Sequence, residues 1–483
     1  MPFSRCWWYR FMVAGGLLLT GFAGQAQHQS LANSTVVEHT ENEEDSSKNE
    51  VRSLQDFLRS GHFGGHLRTY FMATVNKAEL NDYATYGVSG LVEYETANFK
   101  GFEMGLSGLF VFNLWSATPL DRIEPLTGQY SRYEVQLYDV RDPDNETDLD
   151  RLDQLYLRYR FGNSFLMFGK MGIHTPLINM QDTRMKPYVL EGFWSELRPF
   201  KKWQFHAGFF YKASVRSTTE WVSAQESIGI YGTGFTPDGQ PSAYAEHLRT
   251  DGVGVLGATF RDHYHQTQLW HYWIDNISHN SFLQIDQKFP LRNNIRLLLG
   301  LQVLRQSTIA EGGNPDSQKA YRPAGQENYV YCGQLGAEHE DWRFTLSYFQ
   351  ADKNGRFVFP REWGREQFYT TVSRGRMEGF GNVQNLMSSF FYHPAPAWNI
   401  RLDLGRIYAP QHENYRFNKY QNISYDQFNF DLRYRPQKGV FEGLELRFLY
   451  VHKRARRDYG QDLAPLYYTA DFHHFNLITN LVF

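Results

Sequence analysis

The chain has 483 residues, 17% of them aromatic, with 40 glycines, two cysteines and a formal net charge of −3. Its longest nearly uncharged stretch, 11–23, is shorter than the ~20 apolar residues a membrane helix needs, so a bundle of spanning helices is excluded. No basic excess points to nucleic acid, and the net charge does not choose between acidic and basic solutes.

Residues 1–26 read as a secretory signal peptide. Arg5 and Arg10 form the positive end, 11–23 the apolar core, and Gly24-Gln25-Ala26 the small-residue cleavage site. Cys6 leaves with the leader, so the exported chain keeps only Cys332 and has no intrachain disulfide. Residues 27–55 read as an acidic, disordered periplasmic tail. The stretch 27–52 holds six acids against Lys48 and Arg52 and has no aromatic residue.

Residues 56–483 follow one repeating pattern: segments in which apolar residues alternate with polar or small ones, each broken by a turn. A period of two puts each set on one face of a strand. The predicted strands are 66–76, 85–97, 102–114, 153–161, 164–171, 189–199, 203–216, 251–261, 264–275, 280–288, 294–306, 327–338, 342–351, 380–392, 398–408, 424–435, 443–454 and 470–483. In 102–114, Phe102, Met104, Leu106, Phe110, Phe112 and Leu114 face one way, and Glu103, Ser107 and Asn113 the other. In 424–435, Phe428, Phe430, Leu432 and Tyr434 oppose Gln427, Asn429, Asp431 and Arg433.

From the second strand on, the connections mostly alternate short and long. Residues 98–101, 162–163 and 200–202 are short; 115–152, 172–188 and 217–250 are long. Short turns at one end and long loops at the other mark a closed antiparallel transmembrane barrel with an even strand number. The apolar face then meets lipid and the polar face lines the lumen. The last strand ends with Phe475, Leu477, Thr479, Leu481 and Phe483 on one face, and Phe483 is the expected assembly signal. The fold expected is all-β, a single barrel of about eighteen strands.

Side-chain parity gives inward basic candidates Arg68, Arg158, Arg160, Lys170, Arg296, Arg343, Arg401, Arg433 and Arg447, with acids Glu93, Glu95, Glu103, Asp403, Asp431 and Glu445. A ladder of fixed charge lowers the barrier for a partly dehydrated ion. The structural alternative is that Arg–carboxylate pairs brace the wall. The loop 172–188 carries Pro176 and Pro187, which restrict its backbone, and the pair Asp182 and Arg184. Arg158, Arg160, Lys170 and Arg184 are expected to meet near one narrow level.

Enzymatic signals are weak. The G-x-G-x-x-G of 252–257 lies within an alternating strand with no helix pattern after it. The acidic run 142–148 lacks the Gly and closing Glu of an EF-hand. His263, His265 and His271, and the pair His473 and His474, complete no metal spacing. No cofactor, metal or catalytic residue is expected.

Three segments carry a family resemblance. They are 61–71, the turn Asn98-Phe99-Lys100-Gly101-Phe102, and above all 169–192 with its Thr175-Pro176, Asn179, Asp182-x-Arg184 and Pro187 positions. The chain resembles the OprD family of substrate-selective, eighteen-stranded outer-membrane porins. The resemblance implies a narrow pore with a basic ladder, and an inward fold of 172–188. It implies passive uptake of small hydrophilic solutes such as carboxylates, amino acids or small oligosaccharides, in the outer membrane of a Gram-negative bacterium. The partners expected are outer-membrane lipids and lipopolysaccharide, the barrel-assembly machinery and a small-molecule solute, with a monomer or trimer as the assembly. A general diffusion porin, and a receptor or adhesin barrel binding through 115–152, 217–250 and 352–379, stay open as alternatives.

Overall fold

A computed structural model of the chain describes residues 51–77, 79–181, 184–459 and 463–483. The leader, most of the acidic tail and Asp182 lie outside the described residues.

Eighteen strands form the wall. They are β1 His62–Val75, β2 Tyr83–Glu95, β3 Phe102–Ser116, β4 Arg151–Phe161, β5 Ser164–Met171, β6 Val189–Phe200, β7 Trp203–Ser214, β8 Val253–Arg261 and β9 His265–Ile274. Then come β10 Ser278–Pro290, β11 Arg296–Thr308, β12 Glu327–Glu338, β13 Trp342–Ala351, β14 Gln384–Ala395, β15 Trp398–Tyr408, β16 Tyr425–Tyr434, β17 Leu444–Ala455 and β18 Phe472–Val482. Each pairs antiparallel with its neighbours in sequence, and β1 closes the ring against β18 in the register Arg68↔Asn480. A short piece, Val222–Ser223, pairs only with β7. Closure leaves no open edge, which hydrocarbon could not hydrogen-bond.

The expected strands are all present. β1 starts earlier than expected because pairing begins at His62↔Glu95. β14 starts later, at Gln384, because Phe380 still belongs to a loop, where its carbonyl accepts from the Phe357 amide at 2.8 Å. The boundary expected at residue 55 also moves. The Val51 amide donates to Asn98 O at 2.8 Å, and α1 (Leu54–Arg59), capped by Ser53, buries Phe57 against Phe99 with ring centroids 6.1 Å apart. The turn it covers is closed by Phe99 and Phe102, 2.9 Å in both directions, with Lys100 and Gly101 at φ 53° and 89°. Two successive left-handed residues make the hairpin turn whose twist matches the strands.

The period of two explains the exposure. Leu155, Leu157, Phe168, Leu256 and Leu404 point outward and are 42–60% exposed, although they are large and apolar. Around the whole wall such residues form a band that only lipid can cover. Turns 162–163, 201–202, 262–264 and 339–341 gather at one end; 117–150, 172–188, 215–252, 309–326, 352–383 and 409–424 gather at the other. The connection 275–277 is the short exception at the long-loop end. Phe483 completes the ring: its amide donates to Gly65 O at 3.1 Å, and its carbonyl accepts from Gly65 N at 3.0 Å.

Candidate functional site

Two loops cross the lumen. Loop 172–188 starts at β5 and is held by β9, where Tyr272 Oη donates to Thr175 Oγ1 at 2.9 Å and accepts from the Leu177 amide at 3.3 Å. Its other end reaches β1, where Arg68 Nη1 donates to Arg184 O and Arg68 Nε to Asn480 Oδ1 at 2.6 Å. Arg151 staples its exit, donating to Pro187 O at 2.8 Å and to Val215 O at 3.1 Å from a fully buried pair with Asp153.

Loop 352–383 also crosses. Near β10 and β11, Tyr369 Oη donates to Asp286 at 2.6 Å and Gln302 Nε2 to Gln367 O at 3.0 Å. On the far wall, Ser373 O accepts from Gln427 and Asn429 of β16 at 2.7 and 3.1 Å. Phe357, Phe359, Trp363 and Phe368 of this loop are buried. The receptor reading, which left 352–379 free outside the cell, is therefore corrected for this segment: its apolar residues need the lumen side of the wall to leave water.

Asn179 ties the two crossings together. Its amide donates to Trp363 O at 3.1 Å, its Nδ2 to Arg365 O at 2.8 Å, and Gln367 N donates to Pro176 O at 3.0 Å. A fixed backbone at this level lets side chains from distant loops converge. Arg184 Nη1 and, at 2.9 Å, Arg216 Nη2 both donate to Gln136 Oε1. Arg216 Nε also donates to Tyr188 Oη at 3.1 Å. Arg374 donates to His474 Nε2 at 3.0 Å and to Asn476 Oδ1 at 2.9 Å. The Tyr133 ring lies 5.7 Å from the Arg184 guanidinium and 5.2 Å from that of Arg374. Three guanidiniums from three loops thus border one amide and one ring.

Burial tunes nearby loop groups. It raises the Glu134 carboxyl, an effect partly offset by the Thr74 hydroxyl donating at 2.5 Å. Burial, reinforced by the Arg151 charge, brings Lys186 down to about 7.

The sequence-predicted residues divide. Arg184 and Arg68 meet at the loop crossing. Arg158 and Arg160 face inward as expected but sit beside the 162–163 turn, where Arg158 pairs with Glu95 and, at 2.6 Å, with Glu103, and Arg160 meets Glu103 at 2.8 Å. Arg160 lies opposite Phe165, so the start of loop 172–188 is roughly 20 Å further along β5 at ~3.3 Å per residue. Their expected level is corrected: parity fixes the face of a residue, not its depth. Lys170 is corrected in its face. It lies opposite outward Leu155, shares parity with Phe168, pairs with Glu191 at 2.7 Å and sits 3.7 Å from the Trp221 ring.

The remaining wall cations belong to a belt near the short-turn end. Asp403 accepts from Arg401 at 2.8 Å, and Asp431 pairs with Arg447 at 2.6 Å and Arg433 at 3.2 Å. Glu338 meets Arg343 at 2.7 Å and Arg296 at 2.9 Å, and Glu445 pairs with Arg435. Sequence reasoning missed Arg216, Arg374, Gln136 and Tyr133. A signal was present in 352–383, whose five arginines lie among buried-type aromatics and a proline, unlike a solvated loop.

The sequence model described as outer membrane porin, OprD family, matches residues 125–480. No curated protein sequence matches the chain. Among solved structures, Pseudomonas aeruginosa OccK8 (OprE) is similar at 14% identity and a TM-score of 0.68, over 88% of this chain and 99% of that one. OccK9 (OpdG) of the same organism gives the same identity and score over 88% and 100%. P. aeruginosa OpdK, solved with vanillate, gives 15% identity and 0.64 over 88% and 99%.

Proposed function

The chain belongs to the OprD family of outer-membrane porins, a passive channel and not an enzyme, and from that premise we propose that it selects small carboxylate-bearing solutes at the loop constriction. One observation carries the reading: Arg184, Arg216 and Arg374, from three loops, converge on Gln136 and Tyr133. Guanidinium groups bind a carboxylate bidentately, and an aromatic ring beside them favours a planar solute. That OpdK was solved with vanillate, an aromatic carboxylate, supports the same solute class here. Asp182, which lies outside the described residues, stays a candidate for this level beside Arg184, with Arg68 as the residue that positions the loop carbonyl.

Liposome swelling tests the proposal. Aromatic and aliphatic carboxylates should enter faster than neutral sugars of equal size, and Arg184→Gln with Arg216→Gln should remove the difference. Rates that fall with solute size alone would favour the general diffusion porin.

The partners follow from the membrane setting. Phe483 is the proposed contact for the barrel-assembly machinery, the residue being 54% exposed just past the last strand. Lipopolysaccharide and other outer-membrane lipids would cover the apolar band. A Phe483→Ala chain should reach the surface at a lower level while conducting normally once inserted; normal surface levels would refute the role.

A further inference from the structure

The outward face of β15–β18 carries charge where a lipid-facing wall ordinarily does not. Arg406 and Asp426 face each other across β15 and β16, and Arg454 faces Asp426 from β17. Parity places the row outside: Leu404 and Tyr408, flanking Arg406 on the same face, are 60% and 44% exposed. One step toward the long loops, exposed Arg456 lies over the Tyr408 ring at 4.4 Å. One step toward the membrane centre the row becomes Leu404, Phe428, His452 and His473, and beyond it Leu402, Phe430, Tyr450 and Phe475. The charged rows therefore sit directly above the apolar band, at the long-loop end, the level of outer-leaflet headgroups.

The charges do not cancel. Asp426 accepts from Arg406 through both oxygens, at 2.7 and 3.0 Å. Arg454 and Arg456 have no ion-pair partner among the described residues. The outward pair Arg305–Glu327, on β11 and β12, is balanced one to one at 2.8 Å. Three arginines stand against Asp426 and Asp471, the latter opposite Arg454 just before β18 with its carboxylate accepting from the Ala455 amide at 2.8 Å. The face stays a net cationic patch, with a hydroxyl–imidazole pair just below, where Tyr450 Oη and His473 Nδ1 are hydrogen-bonded at 2.7 Å.

We propose that this patch binds the phosphate groups of an anionic outer-leaflet glycolipid, with the acyl chains lying on the Leu404–Phe428–Phe430 surface. The arginines supply donors for phosphate oxygens, and the aromatic and aliphatic rows beneath supply the cover for the chains. The inference rests on the outer-membrane setting and not on the solute proposed for the pore, so either can fail without the other.

The test uses the full chain in vesicles of zwitterionic phospholipid doped with bisphosphorylated lipid A, with retained lipid counted by native mass spectrometry. At ~1 kcal/mol per basic residue near an anionic surface, Arg454→Ala with Arg456→Ala should lower retention roughly 25-fold. The double Lys variant should keep most of it. Dephosphorylated lipid A should not be retained above phospholipid background. Unchanged conductance and heat-modifiable mobility of the double Ala variant establish that it is folded. Equal retention by the parent and the double Ala variant would overturn the proposal, as would equal retention of dephosphorylated lipid. Displacement of lipid A by inorganic phosphate at equal phosphorus concentration would make the patch a free-anion site and overturn the lipid assignment. A dimer in detergent that the double Ala variant dissolves, with lipid retention unchanged, would assign the face to a second copy of the chain instead.

Discussion

The pore has two populations of arginine that differ in how they are built. Near the short turns, each guanidinium is set against a carboxylate on its own or an adjacent strand: Arg158 and Arg160 against Glu103, Arg401 against Asp403, Arg433 and Arg447 against Asp431. At the crossing loops, guanidiniums from distant parts of the chain gather around shared neutral acceptors, as Arg184 and Arg216 do at Gln136. The belt is a local, strand-to-strand arrangement in which neighbouring cations share a carboxylate, as Arg433 and Arg447 do at Asp431. The loop crossing brings three guanidiniums from distant loops together. Fixed charge acts on a permeating ion through its uncancelled part, so on the proposed function selection would act at the loops and the belt would brace the wall.

The largest effect that can break this comparison is on ion preference. A charge at ~6 Å and an effective dielectric of ~20 is worth about 3 kcal/mol before screening and desolvation. With a net ~1 kcal/mol on each ion for the charge reversal, opposite in sign for anion and cation, Arg184→Glu or Arg374→Glu should move the anion-to-cation permeability ratio roughly 25-fold toward cations. Reversal potentials in a salt gradient across a planar bilayer read this directly. Arg158→Gln should leave the ratio within about twofold. If Arg158→Gln moves it as far as Arg184→Gln does, the division between belt and constriction is wrong.

Stability should sort the opposite way. Asp431 is 7% exposed between Arg433 and Arg447, and Asp431→Asn leaves two nearly buried guanidiniums without their anion. Losing one partner of a buried ion pair costs about 3 kcal/mol. The urea midpoint for unfolding from lipid vesicles should fall accordingly, with the reversal potential unchanged. A variant that shifts selectivity and leaves the midpoint alone would count against a structural role for the belt.

A smaller effect sharpens the account of the loops. Asn179 joins 172–188 to 352–383 through Trp363 O and Arg365 O. Asn179→Ala keeps the backbone bond to Trp363 O but removes the side-chain bonds to Thr175 O and Arg365 O and the acceptor of the Gln181 and Arg365 amides, a loss of about 1–3 kcal/mol confined to the crossing. Single-channel records should then show more frequent sub-conductance steps at unchanged barrel stability. Quiet records would mean that the wall anchors at Tyr272 and Gln302 suffice.

What the sequence disclosed follows from periodicity. A strand fixes side-chain direction every second residue, so the wall, its closure and the inward faces of Arg158, Arg401 and Arg447 were legible. Lys170 was legible too, since it shares parity with outward Phe168; the inward parity assigned to it was the wrong one. The depth of Arg158 was not legible from parity, only from counting residues to the 162–163 turn. The constriction was the least legible part, because Gln136, Arg184, Arg216 and Arg374 lie in four loops with no repeat. The chemistry that joins them is contact across long sequence separations. Local signs of a fixed loop lay in the proline-bearing segment around Arg184 and in the arginine- and aromatic-rich segment 352–383.

The smallest expected effect concerns pH. Lys186, at the exit of loop 172–188, is buried and its ammonium lies near about 7, below the ~10.4 of the unfolded chain. Acidification from about pH 8 to about pH 6 therefore adds close to one positive charge beside the constriction and should raise anion preference by roughly twofold. The stability sign is fixed by the same pair of values. Between them the unfolded chain binds the extra proton, so this site's contribution to stability rises with pH from about 7 to about 10 and is lowest, and flat, below about 7. Protonation of Glu134, whose carboxyl burial also raises, changes charge in the same direction on acidification, so the two groups must be separated. Lys186→Met should abolish the part of the reversal-potential shift centred near neutrality that persists in the Glu134→Gln channel. A parent channel with a flat profile from about pH 8 to about pH 6 would place the Lys186 charge too far from the solute path to matter, and the constriction would then consist of Arg184, Arg216 and Arg374 alone.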